Sequence, residues 1–143
     1  VLESAARQSV SGKKILLVDD DELVRQVCEA VLSREGYQYL VAINGLEAIE
    51  IYRNHQEDIC LVLSDVLMPV RGGVELFYDI LQLNPHANVI LMSGYSAVDV
   101  VPDELKKLCS MMSKPFTPLE LIESVQKCLR YDEHPRVIET SSC

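Results

Sequence analysis

No stretch of this 143-residue chain is both long and apolar. Its apolar runs are strand-length, far short of the roughly 20 residues that a membrane helix needs, so no membrane contact is expected. No basic stripe is present either. With 13 Lys and Arg against 22 Asp and Glu the net charge is −9, which would repel nucleic-acid phosphate and argues against a direct nucleic-acid partner. The five cysteines (Cys28, Cys60, Cys109, Cys128 and Cys143) are odd in number and no two have C-x-x-C spacing, so neither a zinc site nor a dithiol redox motif is indicated. They read as reduced, mostly core thiols of a cytoplasmic protein. The three histidines, His55, His86 and His134, fall in predicted loops or helix ends without a partner cluster, so each is expected on the surface. No charged-then-apolar leader opens the chain, so secretion is not expected. Val1 stands where an initiator Met would be, and the expectation is a piece of something longer.

The content is that of a folded globule: 48% of residues are hydrophobic, and the length suits one domain with a sizeable core. Residues 1–12, ending in Ser11-Gly12, read as a linker or arm, 13–130 as the domain, and 131–143 as a C-terminal tail. Within the domain, strand-like and helix-like segments alternate. Ile15–Val18 is continuously apolar, as strands buried on both faces tend to be. From Glu22 to Glu35, Leu23, Val24, Val27 and Val31 recur at helical spacing, and Gly36 suits a left-handed cap. Tyr37–Ile43 reads as a strand, and Asn44 with Glu47 as a capping box opening a helix through His55. Ile59–Leu63 and Asn88–Met92 are further strands, separated by a loop holding Pro69, Gly72 and Gly73 and a helix near Val74–Leu83. Pro102 predicts a short or broken helix within 95–109. Ser110–Ser113 is a weak fifth strand in which Met111 and Met112 read as core filler. Thr117, Pro118 and Glu120 are a strong helix-start signal, before an apolar face of Leu121, Ile122, Val125, Cys128 and Leu129. The expected fold is therefore α/β, a doubly wound (βα)5 parallel sheet with the flavodoxin-like strand order 2-1-3-4-5.

In that fold five polar residues meet at the carboxyl edge of the sheet, where open α/β sheets bind ligands. Asp19 and Asp20 follow the first strand, Asp65 the third, Ser93 the fourth and Lys114 the fifth. Three carboxylates, a hydroxyl and an ammonium in one cleft suit a magnesium ion and a phosphoryl group. Asp65 can act as a nucleophile toward phosphorus, giving an acyl phosphate. Asp19 and Asp20 would anchor Mg²⁺, Lys114 would pair with a phosphoryl oxygen as a point charge, and Ser93 would donate a hydrogen bond to another. Asp21 and Glu22 read instead as helix N-terminal charges.

The strings Lys14-Ile-Leu-Leu-Val-Asp-Asp-Asp-Glu22, Asp65-Val-Leu-Met-Pro69 with Gly73, Met92-Ser-Gly-Tyr-Ser96 and Lys114-Pro-Phe116 together resemble the receiver domain of two-component response regulators, the CheY-like family. The resemblance covers roughly residues 13–130, with order and spacing intact. It implies Asp65 as phosphoacceptor, Asp19 and Asp20 as the acid pair for Mg²⁺, the Leu67 backbone carbonyl as a further ligand, Ser93 as the switch hydroxyl and Lys114 as the phosphate-binding lysine. It also implies a cis Lys114–Pro115 bond. A histidine kinase or histidine phosphotransfer domain would be the phosphodonor, with the output partner left open. The Ser-Gly-Tyr-Ser string resembles the C-terminal receiver of a hybrid sensor histidine kinase. A stand-alone single-domain regulator and a degenerate receiver that only binds partners are the alternatives.

The chain departs from the family pattern in places. Met111 stands where the family often has a switch aromatic, and Tyr95 is the candidate substitute, against plain surface packing. Arg71-Gly72-Gly73 replaces a more usual acidic-then-Gly ending, and altered loop flexibility is expected. Leu67 and Tyr95 occupy positions that tune dephosphorylation in the family; both are bulky, which predicts a long-lived phosphoryl group. A flavodoxin would need a phosphate-cradling first loop, and Asp19-Asp20-Asp21-Glu22 would repel a phosphate there. A haloacid-type phosphatase would need its nucleophile on the first strand, not the third.

Overall fold

The computed structural model describes residues 13–94 and 100–133. The expected arm, Tyr95, His134 and the expected tail from 134 onward, Cys143 included, lie outside the described residues. In chain order the elements are β1 (Lys14–Val18), α1 (Glu22–Arg34), β2 (Gln38–Ala42), α2 (Gly45–Asn54), β3 (Ile59–Asp65), α3 (Gly73–Leu83), β4 (Val89–Ser93), α4 (Asp103–Lys106), β5 (Ser110–Ser113) and α5 (Pro118–Glu133). The strands form one parallel sheet in the order β2-β1-β3-β4-β5, as expected of a right-handed doubly wound fold.

Alternation along β1 sorts the core into two layers. Leu16 and Val18 pack with Ala48, Ile49, Tyr52, Phe77 and Ile80 beneath α2 and α3. Ile15 and Leu17 pack with Cys28, Val31, Leu32, Leu121 and Val125 beneath α1 and α5. Both faces of the central strands are thus covered, which is why their sequences are continuously apolar. Among the described residues no helix is long and apolar enough to cross a membrane, and the described cysteines Cys28, Cys60, Cys109 and Cys128 are not in disulfides.

Three of the helix starts follow the side-chain chemistry closely. Asp21 caps α1, its Oδ1 accepting from the Leu23 and Val24 N–H groups at 2.9 and 3.4 Å. Thr117 and Glu120 form the reciprocal box: Glu120 N–H donates to Thr117 Oγ1 at 3.1 Å, and Thr117 N–H to Glu120 Oε1 at 2.8 Å. At α2 the box is displaced. Asn44 accepts from Glu47 N–H at 2.8 Å, but the Glu47 carboxylate reaches past it to the Ile43 N–H, also at 2.8 Å. Gly36 takes the left-handed conformation with φ 86°, and Pro102 precedes the short α4.

Two expectations about burial need correction. Leu23 and Val27 do not face the core; they are 72% and 47% exposed. The buried residues of α1 are Cys28, Val31 and Leu32, with Val24 packed against them, a stripe one helical step around. Met112 is buried but Met111 is not. On an edge strand alternation sends Met111 to the opposite side of the sheet from Met112, and that side is next to the short α4.

Candidate functional site

The carboxyl ends of β1, β3, β4 and β5 bring the predicted residues together. Asp19, directly after β1, is fully buried, and each of its polar atoms is engaged. Its Oδ1 accepts from Asp21 N–H at 2.9 Å, its Oδ2 from Lys114 Nζ at 2.9 Å, and its backbone carbonyl from Arg25 Nη1 at 2.8 Å. Asp65, the last residue of β3, is 9% exposed, and its Oδ1 lies 3.2 Å from the same Lys114 ammonium. Asp20 is exposed at the rim. One carboxylate oxygen from each of Asp19, Asp20 and Asp65 falls within 4.8 Å of the others.

Burial raises the Asp65 carboxyl above its ordinary range and the neighbouring Asp19 charge raises it further, while Lys114 and the Val66 backbone N–H oppose both. Burial would lower the Lys114 pKa, but hydrogen bonds and charge attraction to Asp19, then Asp65, reverse this and leave it raised. Three carboxylates against one ammonium still leave the pocket rich in negative charge. Hard oxygen donors converging in this way fit a divalent cation such as Mg²⁺, which takes one or two carboxylates and keeps several waters. Asp19, Asp20 and Asp65 are the residues that would hold it.

Ser93 ends β4 and is buried; its carbonyl accepts from Lys114 N–H at 2.8 Å, so the backbone sets the spacing of the two side chains. The Lys114–Pro115 peptide is cis. Leu67 lies in the loop after Asp65 with its side chain 49% exposed. Asp21 and Glu22 open α1, Asp21 as its cap and Glu22 in its first turn.

The loop from Asp65 to α3 is held more tightly than its sequence suggests. A side chain at Gly73 would strike the Asp65 carbonyl oxygen, and Gly73 N–H donates to Val66 O at 2.8 Å. Between these anchors Val70 adopts φ 71°, and Arg71 N–H donates back to Pro69 O at 2.7 Å, which closes a γ-turn of the rare positive-φ kind. Arg71 is fixed on both sides. Its carbonyl accepts from Gly45 N–H at 2.8 Å, and its guanidinium forks onto Asp79, with Nε to Oδ2 at 2.6 Å and Nη2 to Oδ1 at 3.0 Å. Of the Arg71-Gly72-Gly73 segment, for which altered flexibility is expected, Arg71 is thus anchored through both its backbone and its side chain. Sequence reasoning named Arg71 only as a departure from the family pattern, without its two contacts, and did not single out Arg25. For Arg25 a signal existed, since a long cation one turn after a helix cap can fold back over the loop before it.

The family model for the response regulator receiver domain matches residues 15–126. Sporulation initiation phosphotransferase F of Bacillus subtilis is 34% identical over 120 residues, covering 82% of this chain and 94% of that one. Among solved structures, a CheY-like receiver domain protein from Methanospirillum hungatei superposes with a TM-score of 0.77 at 28% identity, covering 85% of this chain and 96% of that one. The CheY of a CheX–CheY–BeF3–Mg complex from Borrelia burgdorferi does so with a TM-score of 0.75 at 26% identity, covering 82% and 89%. With the strand order, the acid cluster and these matches in agreement, the chain belongs to the response-regulator receiver family.

Proposed function

We propose that Asp65 accepts a phosphoryl group from a phosphohistidine on a histidine kinase or histidine phosphotransfer protein. The observation that carries this is a buried aspartate at a strand end, sharing one lysine ammonium with a second buried carboxylate. An Asp65 carboxylate oxygen attacks phosphorus, the P–N bond of the donor breaks, and the imidazole leaves with the electron pair. Mg²⁺ held by Asp19, Asp20, Asp65 and the Leu67 carbonyl would supply neutralising charge to the phosphoryl oxygens. Lys114 exchanges its contact with Asp65 for a phosphoryl oxygen, and the Ser93 hydroxyl donates to another. The resulting acyl phosphate shifts the population between two states that differ near α5, and so biases binding of an output partner.

For the parent chain, the Ser93-Gly94-Tyr95-Ser96 string supports the C-terminal receiver of a hybrid histidine kinase. The near full-length match to the Bacillus subtilis phosphotransferase favours a second reading, a single-domain regulator. Reading the genomic sequence upstream of Val1 decides between a kinase core and a start codon.

The test of the phosphoacceptor is intact-mass spectrometry after incubation with acetyl phosphate, with and without Mg²⁺, on the wild type and Asp65→Asn. One Mg²⁺-dependent phosphoryl adduct, absent from the variant, is expected. An adduct that survives in Asp65→Asn overturns the assignment, and repeated turnover of a generic phosphate ester makes the protein a phosphatase instead.

A further inference from the structure

We propose that Arg71 is a positioning residue for the metal site: it holds the Val70 turn closed and thereby fixes the peptide of Leu67, two residues past Asp65. The inference rests on the reading of Asp19, Asp20, Asp65 and the Leu67 carbonyl as the Mg²⁺ site.

A β-branched residue at positive φ is a true outlier, because its Cβ substituents crowd the backbone there. Val70 is nonetheless at φ 71°, and its side chain is 75% exposed, so side-chain burial does not hold it in that conformation. Such a conformation persists only where the surroundings over-determine it. The restraints are in the backbone and at Arg71. Upstream, Val66 is fixed by its N–H to Met92 O at 3.0 Å and by Gly73 N–H on its own carbonyl at 2.8 Å. Downstream, Arg71 is clamped through its carbonyl to Gly45 and through its planar fork to Asp79. A Cβ at Gly45 would come within 2.6 Å of the Arg71 carbonyl oxygen, so that approach is open to glycine and closed to larger residues.

Leu67 lies on the stretch between these two clamps. Without the fork, Val70 gains by returning to negative φ, and the loop carrying Leu67 swings with it. With glycine at position 70 that driving force disappears, because glycine populates positive φ without penalty. Arg71 and residue 70 must therefore be coupled, and the coupling must appear in metal affinity.

The experiment is a double-mutant cycle on the full chain, read as the Mg²⁺ dissociation constant by isothermal titration calorimetry, with hydrogen exchange of the amides from Leu67 to Gly73 as a second readout. Arg71→Ala is expected to weaken Mg²⁺ about tenfold, the low end of what loss of a group that orients a metal ligand costs, and to speed exchange in the loop. Val70→Gly alone should stay within about twofold of the wild type, and should reduce the effect of Arg71→Ala to about threefold. Arg71→Lys, which cannot make the fork, should rescue little. Asp79→Asn weakens the fork from the other side and should shift affinity in the same direction if Arg71→Ala proves poorly folded. An Arg71→Ala variant that folds and binds Mg²⁺ like the wild type overturns the inference. So does a loss of the same size in both Val70 backgrounds. A wild type that fails to bind Mg²⁺ overturns the underlying metal-site reading instead.

Discussion

The two ends of the sheet solve the same problem differently. At the amino end, side-chain amides bond neutral partners across the loops: Gln56 Nε2 to Leu83 O at 3.0 Å, Asn84 Nδ2 to the Tyr52 hydroxyl at 3.2 Å, and Asn88 Nδ2 to Cys60 O at 3.4 Å. Each pair is satisfied without charge, and none is costly to keep. At the carboxyl end two aspartates are buried and share one ammonium, and a valine nearby sits at positive φ. A chain selected for stability alone would not place buried like charges and backbone strain at one end of its sheet. Such a concentration of cost at the carboxyl end is the pattern that the proposed phosphoacceptor role requires.

The largest expected effect comes from removing the shared cation. Lys114→Met leaves Asp19 buried and unpaired, and is expected to destabilise the domain by about 3 kcal/mol in urea unfolding; a change as small as that of an exposed ion pair would break the contrast. Asp65→Asn acts in the opposite direction. It removes the charge repulsion with Asp19 and is expected to stabilise by about 1 kcal/mol at neutral pH. The sign of its pH dependence follows from the raised Asp65 pKa. Protonated Asp65 favours the folded state, so its contribution is complete below the ordinary carboxyl value and is lost as pH rises through the raised one. Stability measured from acid toward neutral pH should therefore fall less in Asp65→Asn than in the wild type. The smallest effect belongs to the amino end. Gln56→Ala should cost about 1 kcal/mol or less and leave Mg²⁺ binding and acetyl phosphate labelling unchanged.

Much of this could be read from the chain because the signals are periodic or local. Continuous apolar runs identified the buried strands, and the polar residues closing them identified the edge at which Asp19, Asp65, Ser93 and Lys114 meet. Thr117 and Glu120 announced α5 three residues apart. What escaped was of another kind. Whether Leu23 or Cys28 faces inward depends on which side of α1 its neighbours cover, and both positions fit a helical stripe. The reach of Glu47 to Ile43 in place of Asn44 is set by the path of the chain leaving β2. The fork of Arg71 onto Asp79 joins a loop to a helix eight positions on, a spacing with no periodic signature, and the φ of Val70 contradicts the preference of its own residue type.

One contact carries a consequence for how the molecule becomes competent. The Lys114–Asp19 ion pair joins positions 95 residues apart in a chain of 143, so its formation closes most of the domain into a single loop, with the entropy that such closure removes. A partly synthesised or partly unfolded chain lacking β5 has the acids without their cation. It then holds a cluster of mutually repelling charges, without the ammonium that Asp65, the proposed nucleophile, shares with Asp19. On the proposed function, completeness of folding and readiness for reaction are the same event in this domain. A reagent that detects the one, such as acetyl phosphate labelling during refolding, is a clock for the other.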